Sequence, residues 1–196
     1  MLRQMRFALW VVVALVAAGG LAAYYGRTSI QEKVATVAEI GGPFVLASSK
    51  GAEVNSQDLL GKPYAIFFGF THRPEVCPTT LYEMSNLLQK LGQDVQQFRV
   101  FFVTVDPERD TVDALKDYIS NFDTRIDALV PTMEQLPKIA SSFRVYYAKM
   151  PTSDGSYTMD HTASVFLMEA DGKFAGTIAY GEGAEMREAK LRRLLK

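Results

Sequence analysis

The chain has 196 residues, 48% of them hydrophobic and 22% charged, with a formal net charge of −1. That suits one compact domain with a sizeable core plus a short appendage, and gives no electrostatic reason to bind nucleic acid or another polyanion. A single cysteine, Cys77, excludes a disulfide framework and confines any sulfur chemistry to one position.

From Phe7 to Tyr25 there is no charged residue, and the centre, Trp10 to Ala18, is strongly apolar. A helix over this run, at about 1.5 Å per residue, nearly matches a hydrocarbon core of roughly 30 Å, so residues 1–27 are predicted to form an N-terminal membrane anchor. Tyr24 and Tyr25 would sit at the interface. A cleaved signal peptide is the competing reading, because basic residues precede the run and small ones lie near its end. Arg3 and Arg6 on one side nearly balance Arg27 and Lys33 on the other. The terminal amine and its proximity tip the orientation toward an N-terminus inside, with the globular domain outside the cytoplasm.

Residues 28–39 read as a spacer, and 40–196 alternate strand and helix signals, which predicts an α/β fold. Phe44-Val45-Leu46 and Ala52-Glu53-Val54 suggest a hairpin. Tyr64 to Phe68, bounded by Pro63 and Gly69, is a buried strand. Leu81, Met84, Leu87, Leu88 and Leu91 recur at helical spacing behind Cys77-Pro78, where proline suits a first helical position. Phe98 to Val105 is the next buried strand, and Asp110-Thr111 can cap a helix carrying Val112, Leu115, Tyr118 and Ile119. A helix over Met133 to Phe143 is limited by Pro137. Thr162 to Met168 and Phe174 to Ala179 flank Asp171-Gly172 as a hairpin, before an amphipathic helix over Ala184 to Leu195.

The loop Gly69-Phe70-Thr71-His72-Arg73-Pro74-Glu75-Val76-Cys77-Pro78 sets a thiol where a strand gives way to a helix. The helix end favours the thiolate, and Arg73 could add a full positive charge. This loop, with Thr104-Val105-Asp106-Pro107-Glu108-Arg109-Asp110-Thr111 and Asp160-His161 followed by Thr162 to Leu167, resembles the Sco/SenC family from about Phe44 onward. The resemblance implies a thioredoxin-like fold, copper binding and a part in maturing cytochrome c oxidase. It implies a metallochaperone or assembly factor rather than an enzyme, working with an oxidase subunit or another assembly factor. Cys77 matches the second cysteine of the family's Cys-x-x-x-Cys pair, and His161 matches its distant histidine. Arg73 stands at the first cysteine position. One of three expected copper ligands is therefore missing, and the family's intramolecular disulfide is ruled out.

On their own chemistry, a thiolate and an imidazole suit copper but make an incomplete site. Met159 shares a face with His161 if that segment is extended, and could add a thioether; core filling is the plainer role for it. His72 is a further candidate on the loop. Arg73 repels a cation unless it pairs with Glu75 or Asp160. The same charge supports a different reading, a monothiol redox protein in which Arg73 stabilises a reactive Cys77, and Val76-Cys77-Pro78-Thr79 resembles the peroxidatic segment of peroxiredoxins. The third reading is a noncatalytic partner-binding domain.

Overall fold

The computed structural model describes Trp10 and residues 15–22, 39–72 and 76–196, apart from the side chains of Val76 and Asp94. Most of the predicted anchor and spacer, and Arg73 with them, lie outside the described residues. Residues 15–22 are helical and exposed. Among the described residues no helix is long and apolar enough to cross a membrane.

The chain from Glu39 onward forms its own compact unit. Its strands are β1 (Val45–Ser48), β2 (Glu53–Asn55), β3 (Tyr64–Gly69), β4 (Arg99–Thr104), β5 (Ile126–Val130), β6 (Tyr147–Pro151), β7 (Tyr157–His161), β8 (Ser164–Met168) and β9 (Phe174–Ala179). Its helices are α1 (Val76–Leu91), α2 (Val112–Ile119), α3 (Leu136–Ser142) and α4 (Ala184–Leu194). Seven strands form one sheet in the order β2-β1-β5-β4-β3-β8-β9, and β6 pairs with β7 in a separate hairpin. The three central strands β3, β4 and β5 run parallel, while β8 runs antiparallel to β3.

All six residues of β3 are buried, as expected of a strand covered on both faces. Alternation along it divides the core. Ala65 and Phe67 face one apolar cluster, shared with Leu81, Leu88, Leu115 and Leu191 of α1, α2 and α4. Tyr64, Ile66 and Phe68 face the other, shared with Leu136, Ile139 and Phe143 around α3 and with Met159 of the hairpin.

The expected stripe of α1 is buried throughout, from Leu81 to Leu91. Helix α2 is capped by Thr111, whose hydroxyl accepts from Ala114 N; Asp110 turns inward instead. Helix α3 starts later than expected. Thr132 and Gln135 close a reciprocal box, each side chain accepting from the other's backbone N–H, and Pro137 occupies the first turn. Strand β5 and the β6–β7 hairpin have no counterpart among the elements expected from sequence.

Burial pushes the Tyr64 hydroxyl up to about 12 from its ordinary 10.0. The fold therefore favours the neutral phenol, and that contribution is complete below about pH 10 and lost as pH rises toward 12. Melting temperatures taken from pH 8 to 12 should fall more steeply for the wild type than for Tyr64→Phe above pH 10. Parallel curves would mean that Tyr64 ionises without cost to the fold.

Candidate metal and thiol site

The site forms where β3 ends and β8 begins. Phe67 lies opposite Val165 in the antiparallel β3–β8 pair, so the chain leaving β3 and the chain entering β8 share one rim of the sheet. Cys77 sits in the first turn of α1, fully buried, beside the start of the helix. His161 ends β7. Although 84 positions separate them, Cys77 Sγ lies 3.9 Å from His161 Nε2.

The imidazole is held in one orientation. Its Nδ1 lies 3.0 Å from the carbonyl oxygen of Thr162. A carbonyl only accepts, so Nδ1 is the donor, and in the neutral ring this tautomer turns the Nε2 lone pair toward the sulfur. Phe70 meets the ring edge-on at 5.8 Å between centroids, and Phe67 does so at 6.5 Å. A lone pair facing a thiol beside a helix N-terminus can accept the S–H proton, or share a soft cation with the thiolate.

Room for the sulfur comes from Gly69. A Cβ there would lie 2.7 Å from Cys77 Sγ and 2.8 Å from a ring carbon of Phe102. The backbone of β3 thus passes directly under the thiol, which only the absence of a side chain permits.

The hairpin bearing His161 is tied down by the stretch after β4. Arg109 Nε donates to Asp106 at 2.5 Å and Nη1 to the Tyr157 carbonyl at 2.9 Å, while the guanidinium lies 3.7 Å from the Tyr157 ring centroid. The Tyr157 hydroxyl returns to Asp106 at 2.9 Å.

The other candidates are placed apart. Met159 shares a strand face with His161, but the two-residue step is about 6.6 Å, and Met159 packs with the cluster on the α3 side of the sheet, whereas Cys77 belongs to the opposite one. His72 is half-exposed beside Asp110, at 3.6 Å from its carboxylate. Asp160 points outward from the hairpin. Among the described residues no three His, Cys, Asp or Glu side chains converge to hold a metal ion. Sequence reasoning overlooked Arg109 and Tyr157, whose pairing depends on a hairpin it did not anticipate. It also overlooked Tyr118, whose buried hydroxyl has no hydrogen-bond partner among the described residues and whose pKa is raised by burial first, then by the charges of Cys77 and Asp110.

Comparison with known proteins matches residues 32–196 to the SCO1/SenC family. The chain belongs to that family. It is 36% identical over 138 residues to a SCO2-like protein of Rickettsia prowazekii, covering 69% of this chain and 67% of that one. A mitochondrial SCO1 homologue of Homo sapiens is also 36% identical over 138 residues, covering 69% of this chain but only 46% of its own length. The SCO1 homologue 1 of Arabidopsis thaliana is matched over 41% of its length, so the chain spans less than half of each of these two relatives. Among solved structures, Bradyrhizobium japonicum ScoI with copper bound is 44% identical with a TM-score of 0.73, covering 79% of this chain and 99% of that one. Yeast Sco1 with copper bound is 29% identical with a TM-score of 0.70, covering 79% and 87%. These likenesses establish the α/β thioredoxin-like fold of a SCO1/SenC protein.

Gly69→Ala tests how tightly the thiol is seated in this SCO1/SenC domain. The added methyl cannot fit without moving Sγ or the Phe102 ring, an overpacking that costs about 1–3 kcal/mol. Urea unfolding should show that loss, with Cys77 alkylated faster in the folded protein. Unchanged stability and reactivity would mean that strand and sulfur have more clearance than 2.7 Å implies.

Proposed function

We propose that this chain is a membrane-anchored, copper-handling assembly factor for a respiratory cytochrome oxidase, with Cys77 and His161 as its two copper-binding side chains. The observation that carries the reading is the 3.9 Å approach of Sγ and Nε2, with Nδ1 already committed to a carbonyl. One thiolate and one imidazole lone pair this close can reach the same ion, and they are a soft and borderline pair suited to Cu(I). Relatives named as copper-bound at 44% and 29% identity support the same cargo.

In this reading residues 1–27 anchor the protein in the inner membrane, 28–39 are a spacer, and 40–196 work on the periplasmic side with an oxidase subunit or another assembly factor. Copper is the cargo. The chain's own part is to keep the imidazole in the tautomer that presents Nε2, to favour the thiolate at the helix start, and to exclude water by burying both groups. Arg73, where the family carries its first cysteine, removes a donor and adds a cation that repels the metal, so the site holds copper loosely enough to pass it on. Met159 is not needed as a ligand, since it fills the core on the α3 side.

Competition of the full chain with a Cu(I) chelator should give wild-type binding that weakens at least tenfold in both Cys77→Ser and His161→Ala. Equal affinities across the three proteins would remove the pair as a metal site. Arg73→Cys should bind Cu(I) at least tenfold more tightly than wild type, because it adds a thiolate and removes a positive charge. An affinity no higher than wild type would mean that residue 73 does not face the metal.

A further inference from the structure

The carboxylate of Asp110 is fully buried, yet no lysine or arginine pairs with it among the described contacts. Beside it lies the half-exposed His72, with Nδ1 3.6 Å from Oδ1, and its hydrogen bonds come from hydroxyl and amide donors. Its Oδ1 accepts from the Thr71 hydroxyl at 2.5 Å, and its Oδ2 accepts from Thr71 N at 3.1 Å and from the Thr104 hydroxyl at 2.7 Å. Thr104 ends β4, whereas Thr71 opens the loop that leads to Cys77. The backbone bond from Val105 N to Gly69 O, 2.8 Å, is the last main-chain link between these two stretches among the described residues, and beyond Gly69 the carboxylate takes over the connection.

Burying a carboxylate costs several kcal/mol unless strong donors compensate. An apolar contact could close a strand end more cheaply. What two oxygens add is direction: they fix both the N–H and the side-chain hydroxyl of one residue, and with them the angle at which the loop leaves the sheet.

We propose that Asp110 is a positioning residue for Cys77, acting through Thr71 to fix how the chain leaves β3 and so to hold the sulfur against His161. The proposal rests on Cys77 being the working group of the site, but not on copper being its cargo.

Because Cys77 is the only cysteine, alkylation of the metal-free full chain reports on one sulfur. Wild type should react slowly, and Asp110→Asn and Thr71→Val should react at least fivefold faster. Thr71→Val leaves the Asp110 charge in place, so its gain cannot come from a changed electrostatic environment. Thr71→Ser keeps the hydroxyl and should stay within twofold of wild type. Thr104→Val removes the donor on the strand side, where the hydroxyl also accepts from Asp106 N at 2.9 Å. It should lower the melting temperature while leaving the alkylation rate within twofold. The proposal is overturned if Thr71→Val reacts like wild type, even where Asp110→Asn is faster, or if Thr104→Val speeds the reaction as much as Thr71→Val does. A parallel Cu(I) titration separates the two claims: a wild type that binds no copper ends the functional reading and leaves the alkylation result standing.

Discussion

A thiol and an imidazole 84 positions apart meet because β3 and β8 run antiparallel side by side. In such a pair the exit of one strand adjoins the entry of the other, so whatever follows β3 and precedes β8 must share a rim. The pairing is secured by apolar burial, since every residue of β3 and nearly every residue of β8 is buried. Full burial of a side chain such as Phe67 or Leu167 is worth about 1.5–3 kcal/mol. The site inherits its geometry from that core rather than from direct attraction between its own groups.

Polar contacts then refine what the sheet brings near. Asp106, Arg109 and Asp110 lie within six residues after β4 and reach in two directions. Arg109 and Asp106 grip Tyr157 at the start of β7, whose far end presents His161. Asp110 grips Thr71 at the start of the cysteine loop. One short stretch therefore braces both halves of the site, with the buried Nη2 of Arg109 left without a hydrogen-bond partner among the described residues.

Much of this was legible in the sequence where a local period or a breaker carried the signal. The unbroken apolar run Tyr64 to Phe68, the heptad-like stripe behind Cys77-Pro78 and the Asp171-Gly172 turn all correspond to observed elements. Strand β5 was hidden because Asp127 interrupts its apolar run; that carboxylate is satisfied by the hydroxyls of Ser48 and Ser49, a partnership made only in three dimensions. Strand β6 is largely exposed, and Lys149 and Pro151 give it no apolar alternation. The i, i+2 relation of Met159 and His161 was readable, but which side of the sheet Met159 would pack on was not. Asp110-Thr111 read as the pair that caps a helix, and Thr111 does so, whereas the burial of Asp110 was not readable. Family motifs supplied the Cys77–His161 partnership that periodicity could not.

X-ray absorption at the copper edge on the Cu(I)-loaded wild-type protein tests the central claim most directly, because it reads the donor atoms themselves. The account predicts one sulfur and one imidazole nitrogen in the first shell, with the sulfur lost in Cys77→Ser. A first shell of nitrogen and oxygen alone, or sulfur scattering that survives that substitution, would contradict it.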